Sequence, residues 1–183
     1  LGNLIGVRRC GKPGAKKLLL DAHLDEVGLT VTGIEQGFLR FAAIGVDARM
    51  LPNREVTVLA DPPLRGVVAC LPPHVLSAED REKAPKVEEL FIDVGLSQKE
   101  AERRIPLGTT VVYRSNFLRL GERQLCSKSM DDRACFEALL RTAELLQGRE
   151  LDVDLYLLGS TREEVGGMGA KVVTQAVAPH CCV

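Results

Sequence analysis

The segment DVDLYLLGS, residues 152–160, has an unbroken apolar centre and directly follows a run with helical spacing. In DDRACFEALLRTAELLQG, Phe136, Leu139, Leu140, Ala143 and Leu146 recur at helical intervals, and Gly148 closes the run. A strand that is apolar at successive positions is covered on both faces, so it belongs inside a sheet flanked by helices. TREEVGGMGAKVVTQAVA then reads as a loop feeding a second helix. LGNLIGVRR and KKLLLDAH, separated by the turn-forming CGKPGA, supply further strands near the start. Strands alternating with helices in this way predict an α/β sheet.

Residues 30–119 have a different character. VGLTVTGIEQGFLRFAAIG reads as strand, glycine-containing turn, strand, and REVTVLA and RGVVACL are short strands bounded by prolines. SAEDREKAPKVEEL is polar and reads as a solvated loop. Ser97 with Glu100 forms the pattern of a capping box ahead of a short helix, and GTTVVYRSNFLRL returns to strand character. The expectation is an inserted β-rich domain over 30–119, flanked by the α/β parts 1–29 and 120–183.

Composition narrows the function classes. Hydrophobic residues at 45% and charged residues at 27% describe an ordinary globular chain. A net charge of -1 gives no field for nucleic acid or anionic lipid, and no apolar run is long enough to span a bilayer. A cytoplasmic protein is expected. The six cysteines, Cys10, Cys70, Cys126, Cys135, Cys181 and Cys182, contain no Cys-x-x-Cys pair. Cys70 and Cys135 are read as small buried residues in reduced form.

Three charged clusters stand at junctions between elements. DAHLDE, residues 21–26, ends a predicted strand; SKSMDDR, 127–133, precedes a helix; STREEVGG, 160–167, follows the buried strand. Open α/β sheets bind ligands at the carboxyl ends of their strands. Carboxylates that converged there would repel one another, and divalent cations are the simplest remedy. His23 is a suitable ligand for zinc or cobalt, and Asp25, two residues on, can reach its other ring nitrogen. Alternatively, His23 caps a turn. Asp131 and Asp132 read either as helix N-caps or as metal-bridging carboxylates. Glu163 and Glu164 read as a solvated loop or as a proton acceptor beside a metal ligand, with the following glycines permitting a tight turn.

DAHLDEVG, SKSMDDRA and STREEVGGMGA together resemble the signature segments of metallopeptidase family forty-two, whose members are called glutamyl aminopeptidase, cellulase M or tetrahedral aminopeptidase. LFIDVG and IPLGTTVVY resemble the inserted domain of that family. The resemblance implies a partial co-catalytic zinc-peptidase α/β sheet with an inserted PDZ-like or barrel domain of dimerisation type. It implies a metal-dependent aminopeptidase acting on peptides with two zinc or cobalt ions. His23 matches a ligand of one metal, Glu164 a ligand of the other and Asp131 the bridging carboxylate. Asp25 matches the carboxylate that orients His23, and Glu163 the general base. Homo-oligomers, from dimers to dodecamers, are expected.

Some positions depart from the family pattern: Ser129 stands where alanine is common, Met168 where arginine is expected, and Gly45-Val46 where two glycines occur. The remaining two ligands, an aspartate and a histidine, are expected beyond Val183. Neither His74 nor His180 suits their place, so the chain is expected to be an inactive fragment. Tryptophan is absent and aromatics make up only 4%, which argues against a glycosidase. Two rivals share the fold: an N-acyl amino acid deacylase and a non-catalytic assembly subunit.

Overall fold

Two periodicities divide the chain, one built on alternation and one on continuous apolar runs. A computed structural model describes residues 2–183. In chain order the elements are β1 (Leu4–Arg8), β2 (Lys16–His23), β3 (Gly28–Glu35), β4 (Phe38–Ile44), β5 (Glu55–Val58), β6 (Leu64–Ala69), β7 (Phe91–Asp93), α1 (Gln98–Arg104), β8 (Thr110–Tyr113), β9 (Leu118–Leu120), β10 (Gln124–Cys126), α2 (Met130–Leu145), β11 (Val153–Ser160), α3 (Met168–Val177) and β12 (Cys181–Cys182). They gather into two compact units, Leu1–Glu26 with Ser129–Val183, and Val27–Lys128.

In the Val27–Lys128 unit, alternation closes a barrel of six strands in the order β3-β4-β7-β6-β5-β8. Leu29 and Val31 of β3, Leu39 and Phe41 of β4, Val56 and Val58 of β5, and Val68 of β6 point inward at every second position. Ile92, Val111, Leu51, Leu90 and Ile105 complete this core. Gln36 and Gly37 join β3 to β4 with φ of 55° and 89°, as a two-residue turn with both central residues left-handed requires. Ser97 and Glu100 cap α1 reciprocally. β9 and β10 pair as a separate two-stranded ribbon.

In the other unit, the sheet order is β1-β11-β2-β12. β11 and β12 run parallel to β2, and β1 closes against β11 antiparallel. β11 is an inner strand, which is why its centre, Leu155 to Leu158, is continuously apolar. Val173 and Val177 of α3 pack on Leu19, Tyr156 and Leu158. Gly159 admits α2 and the end of β2: an added Cβ would stand 2.8 Å from the Phe136 ring and 2.9 Å from a Leu24 methyl.

The structure corrects the reading of two cysteines. Cys70 is exposed because β6 ends at Ala69, one residue earlier, and Cys135 is exposed along α2. All six cysteines are free. No helix among the described residues is long and apolar enough to cross a membrane.

The Tyr113 hydroxyl of β8 is buried and has no hydrogen-bond partner among the described residues. Burial pushes its pKa up to about 12, against the opposing charge of Arg54. The folded state therefore holds the phenol proton more tightly than the unfolded chain, whose tyrosines titrate near about 10. Stability associated with this group is present below pH 10 and is lost as pH rises through 12. Tyr113→Phe is expected to leave stability at pH 7 unchanged or raised by up to about 1 kcal/mol, since no bond is lost. Phenolate absorbance should lose its component near pH 12; destabilisation by about 1 kcal/mol or more would contradict an unpartnered hydroxyl.

Candidate metal centre

The parallel register pairs Ser160 with His23, so β2 and β11 end side by side. The two segments that leave these strands, residues 24–26 and 161–167, therefore start at one edge of the sheet. Leu24 N donates to Ser160 O at 2.8 Å and fastens the two exits together. α2 starts at the same place, where Arg133 Nε donates to Leu24 O at 3.3 Å.

His23 is buried, with only 8% of its surface exposed. Its Nδ1 lies 3.0 Å from the Asp25 carbonyl oxygen and 3.7 Å from Asp25 Oδ1. Its Nε2 lies 3.0 Å from Asp131 Oδ1. A carbonyl can only accept, so Nδ1 carries the proton that it donates there. In the neutral ring Nε2 is then a lone pair facing a carboxylate oxygen. Such a pair of atoms requires a proton or a cation between them. Burial opposes the charged ring, but the Asp131 hydrogen bond, the Asp25 carbonyl and the charges of Asp25 and Glu163 outweigh it. The imidazole pKa is raised.

Asp131 reaches His23 because the backbone there is not helical. Asp131 has φ −86° and ψ 106°, Asp132 has φ −123° and ψ 24°, and the peptide between them is cis. Asp131 meets the imidazole, and Asp132 is the last non-helical residue before the regular helix, where an N-cap stands. Ser129, with φ 59°, precedes that kink, and its Oγ donates to Glu26.

Glu163 and Glu164 enter through the backbone. Asp25 Oδ1 accepts from Glu163 N and Oδ2 from Glu164 N, each at 3.2 Å. One carboxylate therefore holds two successive amides of the loop. Gly166 and Gly167, with φ of 108° and 69°, turn the chain into α3. Burial, reinforced by the neighbouring Glu163 charge, raises the Glu164 pKa, and His23 opposes the shift.

Donor atoms of His23, Glu163 and Glu164 lie within 4.8 Å of one another. An imidazole nitrogen, two carboxylates, and a third carboxylate against that nitrogen fit a hard or borderline divalent cation. All five residues singled out from the sequence, His23, Asp25, Asp131, Glu163 and Glu164, gather in this one unit. His180 is elsewhere, its Nδ1 accepting from Lys17 N. The Asp25 carbonyl and the Asp25 clamp on the loop amides escape sequence reasoning, because backbone groups leave no trace in residue type.

The profile described as M42 glutamyl aminopeptidase matches residues 2–183. The chain belongs to that family. It is 34% identical to a lysyl aminopeptidase of Pyrococcus furiosus over 98% of this chain and 52% of that protein. Among solved structures, the aminopeptidase APDkam598 of Desulfurococcus kamchatkensis matches with TM-score 0.87 and 37% identity, over 99% of this chain and 50% of that one. The TET1 peptidase of Pyrococcus horikoshii, described as assembling into a tetrahedron or a large octahedral shell, matches with TM-score 0.88 and 32% identity, over 99% and 55%. The chain spans about half the length of the curated relatives it matches. With these aminopeptidases it shares the mixed α/β fold.

The raised His23 pKa has a definite sign in the metal-free protein. The stability it contributes is full below about 6.5 and is lost as pH rises through the higher folded value. A cation on Nε2 would follow the opposite course, since it needs the deprotonated nitrogen. NMR titration of the His23 ring should give a midpoint above 6.5, and Asp131→Asn should lower it. A midpoint at or below 6.5 in the unsubstituted protein would contradict the Asp131 contact.

Proposed function

We propose that the chain carries part of the catalytic centre of a metal-dependent aminopeptidase that releases N-terminal residues from peptides. The observation that carries this reading is the His23 Nε2 lone pair facing Asp131 Oδ1 at 3.0 Å, beside the paired glutamates. His23 and Glu164 would each hold one of two zinc or cobalt ions, with Asp131 shared between them. Bound cations supply Lewis-acid polarisation of the scissile carbonyl and a lowered pKa for water.

The glutamates divide by environment. Glu164 is half-buried with a raised pKa, so a cation is the natural partner for its charge. Glu163 is exposed and free to reach a substrate. It accepts a proton from the attacking water and returns it to the departing amine. Asp25 orients both halves: its carbonyl and carboxylate face His23 Nδ1, and its two oxygens hold the Glu163 and Glu164 amides.

The β barrel would serve as the inserted domain that makes subunit contacts, and the whole protein would form homo-oligomers in the cytoplasm. Support for assembly comes from the TET1 relative, which is described as forming closed shells.

Hydrolysis of a panel of aminoacyl-p-nitroanilides by the whole protein, with added zinc or cobalt, tests the reading. Activity should vanish with chelator. Glu163→Gln should lower kcat by at least about 100-fold while retaining bound metal, as loss of a general base does. Wild-type turnover in Glu163→Gln would remove Glu163 from the chemistry, and turnover without metal would refute the metal dependence.

A further inference from the structure

The loop bearing the two glutamates is closed at its base by a residue far away in sequence. Asn3 Oδ1 accepts from Thr161 N at 2.9 Å and from Thr161 Oγ1 at 3.0 Å. Asn3 Nδ2 donates to Gly169 O at 2.9 Å. Gly169 N completes the closure by donating to Thr161 O at 3.0 Å. One amide side chain and one backbone hydrogen bond thus join residues 161 and 169, and Glu163 and Glu164 stand between them.

The chemistry of the clip selects its residues. The amide oxygen takes two donors and the amide nitrogen supplies one, and rotating the amide would set donor against donor and acceptor against acceptor. Aspartate lacks the donor, and alanine lacks both functions. Gly169 is equally constrained: an added Cβ would stand 2.1 Å from Thr161 O and 2.5 Å from Asn3 Oδ1. The loop is also held in its interior by Asp25 on the Glu163 and Glu164 amides. Holding both base and interior removes conformational freedom that metal binding would otherwise have to remove.

We propose that Asn3 is a positioning residue of the metal centre. It fixes the base of the 161–169 loop, so that Glu164 and Glu163 stand in place before a cation arrives. This role rests on the metal-centre reading. No part of Asn3 needs to touch the ion or the substrate.

The test is cobalt(II) binding to the metal-free protein, read by visible absorption and by chelator competition. It compares the unsubstituted protein with Asn3→Ala, Thr161→Val and Glu164→Gln. Asn3→Ala should weaken cobalt affinity about tenfold, the lower end of what residues supporting metal ligands contribute. Its cobalt bands should shift as the ligand set loosens, and exchange of the Thr161 and Gly169 amides should quicken. Thr161→Val, which removes the hydroxyl's contact with Asn3 and keeps the backbone one, should weaken affinity about two- to threefold, roughly the cost of one modest hydrogen bond. A folded Asn3→Ala with unchanged affinity and bands overturns the proposal. Where Asn3→Ala does not fold, unchanged affinity and bands in Thr161→Val overturn it. If Glu164→Gln also binds cobalt like the unsubstituted protein, the metal-centre reading falls as well; weakened binding in Glu164→Gln alone leaves that reading standing without the clip.

Discussion

Eight consecutive pairs, from Val153 opposite Lys16 to Ser160 opposite His23, join β11 to β2 in parallel. Parallel pairing aligns the carboxyl ends of both strands, so the segments after His23 and after Ser160 begin at one sheet edge. Leu19 and Leu158, both fully buried, anchor this register together with Tyr156. Burying each such side chain contributes about 1.5–3 kcal/mol. A slip by one residue would turn Leu19 to the opposite face and carry His23 away from Asp131. The apolar interior of this sheet therefore determines which polar atoms meet at its rim.

At that rim the carboxylates are met by backbone amides, an imidazole and a hydroxyl. Asp25 is held by two backbone amides, Asp131 by the imidazole, and Glu26 by the Ser129 hydroxyl. Burial raises the Asp21 pKa, with Ser160 opposing the shift, and Asp21 Oδ1 is buried with no hydrogen-bond partner among the described residues. Glu164 has a raised pKa, and His23 holds its proton more tightly than usual. Both shifts have the sign that converging carboxylates impose on their neighbours. The site residues reach the centre through backbone contacts and strand ends. These fix position through the backbone.

Much of this was legible in the sequence, and the gaps have physical causes. Alternation at Leu29, Val31, Leu39 and Phe41 marks barrel strands, and the Gln36–Gly37 turn marks their hairpin, because both signals are local. Closure of the barrel through β8 on β3 and β5 is not local, and no residue pattern declares it. The Ser97–Glu100 box is readable because its partners are three residues apart. Asp131 and Asp132 read as capping or metal-bridging residues, and the meeting of Asp131 with His23 left no local signal, since the two stand 108 residues apart. Asn3 gave no signal at all, its partner Thr161 lying 158 residues along the chain. Cys70 and Cys135 misled because hydrophobic neighbours in sequence do not ensure cover in space.

The central claim is that the shared end of β2 and β11 holds a divalent cation. Anomalous X-ray diffraction from zinc-soaked crystals tests it most directly. An anomalous peak is expected bonded to His23 Nε2, at about 2.0–2.1 Å as zinc–imidazole bonds require. A carboxylate from Asp131 or Glu164 should share the same ion. Zinc bound only elsewhere, with His23 Nε2 still against Asp131 alone, would contradict it.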